Sequence, residues 1–308
     1  MSEIKRKTIS TKQARRMINT FGFSLIIYIA LNLVLWYGMP LVTHYAPQTY
    51  FGFDPEMITM LFTMIMMVFT MLVPFRISAR LLKLDINDYL VSAHLSFWKY
   101  ISLCCLGAAL MFIVTAVPSV YYILIRSARI PYPFVGDFTT RNNILKNIIY
   151  AVLAILVKPL CDEVIFRGII QRQLGHYGRR FGVYASTFLY FLSFATLPDA
   201  IPNLFIGWYL ALLALRYHSI IPSLIVHIYV ALFSWAIQVI PDQFVIVISG
   251  IVMLNLAIAA VAIFNGTITL SIARPGRFDP RLWKILFTSF TTLVCIGLFI
   301  AGVVLSFL

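Results

Sequence analysis

Nine runs of about twenty mostly apolar residues divide the 308-residue chain, and this recurrence constrains the fold more than any motif does. They lie near 18–41, 57–75, 98–124, 147–166, 182–198, 202–216, 219–239, 243–264 and 284–307. A helix of that length crosses the hydrocarbon core of a bilayer. Only helices and closed barrels satisfy every backbone polar group there. Apolar residues make up 61% of the chain and charged residues 11%, against roughly a quarter charged in soluble domains. The expectation is an all-α, polytopic integral membrane bundle of eight or nine transmembrane helices. The runs 202–216 and 219–239 are short or polar enough to be partly re-entrant.

A net charge of +13 raises the question of a nucleic-acid partner. The basic residues sit in short loops between apolar runs, which argues against one and fits the positive-inside pattern instead. With the N-terminus inside, nineteen of the 24 Lys and Arg residues fall on the inner side and four on the outer. Lys158 alone lies within a run. Basic Lys5, Arg6, Lys7, Lys12, Arg15 and Arg16 precede an apolar run with no small-residue cleavage site, as in a retained first span. These features predict a plasma-membrane protein with a cytoplasmic N-terminus, its basic loops suited to anionic lipid head groups. Pro131, Pro133 and Gly136 predict that the outer loop 125–146 is irregular. Cys104, Cys105, Cys161 and Cys295 lie in apolar runs, without disulfide or zinc spacing, and read as small buried hydrophobes.

The stretch KPLCDEVIFRG, residues 158–168, closes the fourth run with two cations and two carboxylates. Residues four apart share a helix face, so Lys158 pairs with Asp162 and Glu163 with Arg167. Two readings are open. The charges could be salt bridges that anchor a helix end, or a buried polar site in which a carboxylate handles a proton or a metal. His44, His94, His176 and His218 lie in loops or amphipathic stretches and read as solvated. His227 lies inside the apolar run IIPSLIVHIYVALFSWAI and needs a hydrogen-bond partner, with Asp162 or Glu163 the evident candidates.

The stretch PLCDEVIFRGIIQRQL resembles the first motif of the CPBP family, the CAAX-protease and bacteriocin-processing intramembrane proteases, also called the Abi family. Pro159, Asp162, Glu163, Phe166, Arg167 and Gly168 fill its pattern. Pro222 and His227 match the spacing of the family's last motif, and the resemblance spans roughly residues 145–240. It implies a four-helix core formed by the fourth to seventh runs, in a bacterial membrane protein. Segments 1–144 and 241–308 would supply flanking transmembrane helices. It also implies that Asp162, Glu163, Arg167 and His227 are the catalytic set, meeting in a cavity open toward the inner side. Zinc is the implied cofactor, and Glu163 and His227 are the ligands retained if a metal is bound.

Three positions depart from the family pattern. Thr196 stands where the middle-motif histidine is expected, Ala231 stands for the last-motif asparagine, and Asp162 shortens the first glutamate. A shift of about 1 Å in a reacting group can cost on the order of 100-fold, and one lost oxyanion donor roughly 100- to 1000-fold. Catalytic zinc usually takes three protein ligands, and Cys161 and Thr196 are poor substitutes. The sequence therefore suggests a relative with impaired or lost peptidase activity that binds a membrane protein or peptide. An active intramembrane endopeptidase with a remodelled site stands beside that reading, and a transporter behind both.

Overall fold

The computed structural model describes residues 11–45, 55–84, 95–127, 148–149, 151–194, 196–239, 242–272 and 279–306. Most of the 125–146 loop, His94 and the first basic residues of the chain lie outside them, as does the side chain of His44. Among the described residues every regular element is helical. Helix α1 covers Thr11–Tyr45, α2 Pro55–Leu81 and α3 Phe97–Ser127. Helix α4 runs through residues 151–175, α5 is Arg179–Phe191, α6 Leu197–Tyr217 and α7 Ile221–Val239. Helix α8 is Val245–Phe264, and α9, Pro280–Phe287, is followed by α10, Phe290–Leu305.

Each of the nine apolar runs is largely helical, but not every helix can cross a bilayer by itself. Five helices among the described residues are long and apolar enough, namely α1, α2, α3, α6 and α8. The pair α9–α10, bent by 58°, makes a sixth if it is one span. Helix α5 has 13 residues and is about 20 Å long, well short of a hydrocarbon core of about 30 Å. The polar residues of 182–198 explain the shortfall: the helix gives way to a turn at Leu192–Ser193, and Thr196 starts the next one.

Side-chain contacts fix how the helices run. The Ser24 and Ser78 hydroxyls meet at 2.6 Å, and Ser78 also donates to the Thr20 carbonyl at 3.1 Å. These bonds set the end of α2 against the start of α1. Asn19 accepts from Ser289 and Thr291, which brings α10 alongside α1 with both starting at the same end. A Cβ at Gly22 would lie 2.2 Å from the Thr291 hydroxyl oxygen, so the α1–α10 approach requires glycine there. Lys99, early in α3, lies over the ring of Tyr217 at the end of α6, and Trp283 of α9 packs on Phe181 of α5. One end of the bundle therefore gathers Arg15, Arg16, Arg80, Lys83, Lys99, Arg179, Arg180, Arg216, Arg281 and Lys284. These belong to the segments that the charge count groups on one side.

Helix α4 is irregular. Val152–Val157 and Glu163–Gln171 are π-helical, and Lys158–Asp162 between them is α-helical. Such wide turns are rare and concentrate at functional sites. The Glu163–Gln171 stretch is buried at every residue but Val164, so α4 runs through the bundle rather than along its surface.

Candidate functional site

The two ion pairs expected along α4 are formed. Lys158 Nζ lies 2.7 Å from Asp162 Oδ2, and Arg167 Nη1 lies 3.4 Å from Glu163 Oε1. Helix α7 brings His227 to the same glutamate, with Nδ1 3.0 Å from Oε1. Ser223, one turn earlier on α7, adjoins the Glu163 carboxylate. Arg167 also donates through Nη2 to the Gly207 carbonyl of α6 at 2.9 Å. One turn on, Gln171 donates to the Ala211 carbonyl at 2.7 Å. Glu163 is wholly buried, with Arg167 3% and His227 6% exposed. Charges at such depth persist only when paired and hydrogen-bonded, and here one carboxylate oxygen gathers a guanidinium and an imidazole.

Asp162 directly precedes Glu163 but has different partners. Tyr190 of α5 donates its hydroxyl to Asp162 Oδ2 at 3.3 Å, and Asn203 of α6 lies 3.5 Å from that hydroxyl. Tyr28 of α1 is close enough to feel the Asp162 charge. The Tyr190 ring lies under the Arg167 guanidinium at 4.5 Å. Lys158 lies over Phe194 at 4.9 Å and over Tyr190 at 5.8 Å. A Cβ at Gly207 would meet the Tyr190 ring at 2.6 Å, so glycine leaves the room that Tyr190 occupies.

The structure thus gathers Asp162, Glu163, Arg167 and His227 but divides them. Glu163, Arg167 and His227 form one group, and Asp162 has its own partners, with the Tyr190 ring lying between it and Arg167. Both carboxylates are covered by their neighbours, Asp162 being 1% and Glu163 0% exposed. A groove of about 270 Å³ lies elsewhere, between Ser102 of α3 and residues 257–267. Thr196 caps α6, donating to Asp199 Oδ2 at 2.6 Å and accepting from the Asp199 amide at 3.3 Å, which commits its hydroxyl to the helix start. His176 and His218 are exposed, and all four cysteines are buried free thiols.

Sequence reasoning missed Tyr190, Asn203, Tyr28 and Gly207. Tyr190 sits in the aromatic run FLYFLSF and carries the pattern of an ordinary core residue. Asn203, inside a mostly apolar helix, was the available signal, since a buried amide needs partners.

The donor set does not fit a catalytic metal. No group of three His, Cys, Asp or Glu side chains that could hold one occurs among the described residues. Glu163 and His227 supply two donors, and Asp162 is bonded instead to Lys158 and Tyr190. The polar atoms here are also incompletely satisfied: Asp162 Oδ1, Glu163 Oε2, Arg167 Nε and Gln171 Oε1 are buried without a hydrogen-bond partner.

Residues 144–233 match the family model described as Type II CAAX prenyl endopeptidase Rce1-like. The match covers α4 to α7 apart from the last residues of α7, and therefore both carboxylate neighbourhoods. No curated protein and no solved structure matches the chain.

Proposed function

We propose that this integral membrane protein, whose residues 144–233 match the Rce1-like family model, is a CPBP relative that has impaired or lost peptidase activity and acts by binding a membrane protein or peptide. The observation that carries the reading is that each carboxylate commits one oxygen to its own set of partners. Here Glu163 Oε1 is engaged by Arg167 and His227, and Asp162 Oδ2 by Lys158 and Tyr190. Thr196 is committed to its cap, and Ala231 lacks a polar group. The partner is a membrane protein or peptide because the site lies within a bundle surrounded by lipid. The basic end would face the cytoplasm of a bacterial plasma membrane.

A remodelled endopeptidase is the second reading, and one contact favours it. His227 lies 3.0 Å from Glu163 while Glu163 Oε2 has no partner, an arrangement from which a carboxylate could take a proton from water. A metal step is not part of either reading.

Complementation decides between them. A strain lacking the gene receives the wild-type allele or one carrying Asp162→Ala, Glu163→Ala and His227→Ala, at matched expression. Membrane and secreted peptides are then compared by mass spectrometry. The binding reading expects the same peptide profile from both alleles. Cleavage products restored by the wild type alone would overturn it in favour of the endopeptidase.

A further inference from the structure

We propose that the polar cluster is reached from the end of the bundle opposite the basic residues, and that Lys158 is the gate. The inference rests on reading the cluster as the working site, but not on whether that site cleaves or binds. Its starting point is a set of buried polar atoms without hydrogen-bond partners along α4, namely Asp162 Oδ1, Glu163 Oε2, Arg167 Nε and Nη1, and Gln171 Oε1. Orphaned atoms of this kind are normally met by internal water or by an incoming polar group, so the set needs a route to a surface.

Exposure indicates which surface. Helix α6 ends at Tyr217 among the basic residues, and its 21 residues place Leu197 about 31 Å away, near the far face. Asp199 is exposed there, and Asn203, one turn inward, is half-buried. Asn203 touches the Tyr190 hydroxyl, which touches Asp162. The Lys158 side chain, 17 residues before the basic end of α4, is 29% exposed, whereas that of Asp162 is 1% exposed. Polar groups thus step inward from Asp199 through Asn203 and Tyr190 to Asp162, with Lys158 laid across the carboxylate. The route from the basic end is plugged. Ser219, Ile220, Ser223, Leu174 and Leu213 are all at least nine-tenths buried between that end and Glu163.

The gate has a physical basis in its single strong bond. Lys158 holds Asp162 at 2.7 Å while resting on Phe194, and it is the partly exposed member of the pair. An anionic group or water arriving from the far face meets Lys158 first. Drawing the ammonium aside uncovers Asp162 Oδ2 and, next along α4, Glu163.

The test is sided cysteine labelling of the full chain in proteoliposomes. An N-terminal epitope tag marks the basic end, and Cys104, Cys105, Cys161 and Cys295 are replaced by alanine. The probe is a charged, membrane-impermeant methanethiosulfonate. Reporters are Asn203→Cys on the route and Ser223→Cys beside Glu163. Asn203→Cys is expected to react from the face opposite the tag, and Ser223→Cys to be protected. Adding Lys158→Met should speed Ser223→Cys labelling from that same face by at least about tenfold, the change given by a shift of about 1.4 kcal/mol in the closed–open balance. Lys158→Arg should leave it protected. Labelling of Asn203→Cys only from the tagged face, or of neither face, overturns the proposal. So does continued protection of Ser223→Cys in a folded Lys158→Met protein. If Lys158→Met does not fold, Lys158→Gln replaces it, since it removes the charge that holds Asp162 while keeping a polar side chain of similar reach. Protection of Ser223→Cys there also overturns the proposal. Labelling needs no turnover, so cleavage detected by peptide profiling would overturn the binding reading and leave the access route standing.

Discussion

Glu163 and Asp162 are adjacent carboxylates on one helix, yet their surroundings differ in kind. Glu163 turns toward α7, where Arg167 and His227 both reach one of its oxygens. Those three residues fill the family motifs, and the group is sealed from every side. Asp162 turns toward α5 and α6, where its partners are Lys158 and Tyr190, and a half-buried asparagine stands behind the tyrosine. None of those partners belongs to a motif. The first neighbourhood is centred on α7 and the second on α5. The difference teaches that consecutive acids on one helix can be held by separate partners, one by an intrahelical lysine and the other by a histidine from across the bundle.

The comparison can be broken most forcefully from the sealed side. Arg167→Ala leaves Glu163 buried with His227 alone and should destabilise the fold by about 3–5 kcal/mol, read as a lower thermal midpoint in detergent. A midpoint unchanged from wild type would show that the pair contributes nothing. Gly207→Ala should cost about 1–3 kcal/mol, because the added Cβ would lie 2.6 Å from the Tyr190 ring unless the ring moves, with both neighbourhoods disturbed at once. On the Asp162 side, Lys158→Met should cost about 1–3 kcal/mol, and adding Asp162→Asn should recover part of that loss. A double-mutant cycle over Lys158 and Asp162 should return a smaller coupling than one over Arg167 and Glu163, because lysine is partly exposed. Equal couplings would erase the distinction drawn here. Tyr190→Phe is the mildest change, expected at about 1 kcal/mol from one lost hydrogen bond, and thermal unfolding resolves it.

Much of this was legible in residue order. The apolar runs foretell an all-helical membrane bundle because the bilayer leaves few alternatives, and spacing by four foretells both ion pairs on α4. His227 declares itself by being a lone polar side chain in an apolar run. The division of the acids was not legible, because it depends on Tyr190 and Asn203 arriving from two other helices. Neither residue is adjacent in the chain to the motif, and an aromatic inside FLYFLSF gives no sign that its hydroxyl is engaged. The irregular winding of α4 was equally hidden, since a π turn and an α turn can be built from the same apolar residues. Where a run stops being helical was hidden as well: hydropathy alone does not reveal that a run will break at a capping threonine, as the fifth does at Thr196.

The brevity of α5 has a consequence for packing. Eight of its 13 residues are buried, so other helices rather than acyl chains flank most of it. Its far end is covered too, with Tyr190 0% and Leu192 2% exposed. A helix of about 20 Å can therefore fall short of the hydrocarbon core without presenting its end to lipid.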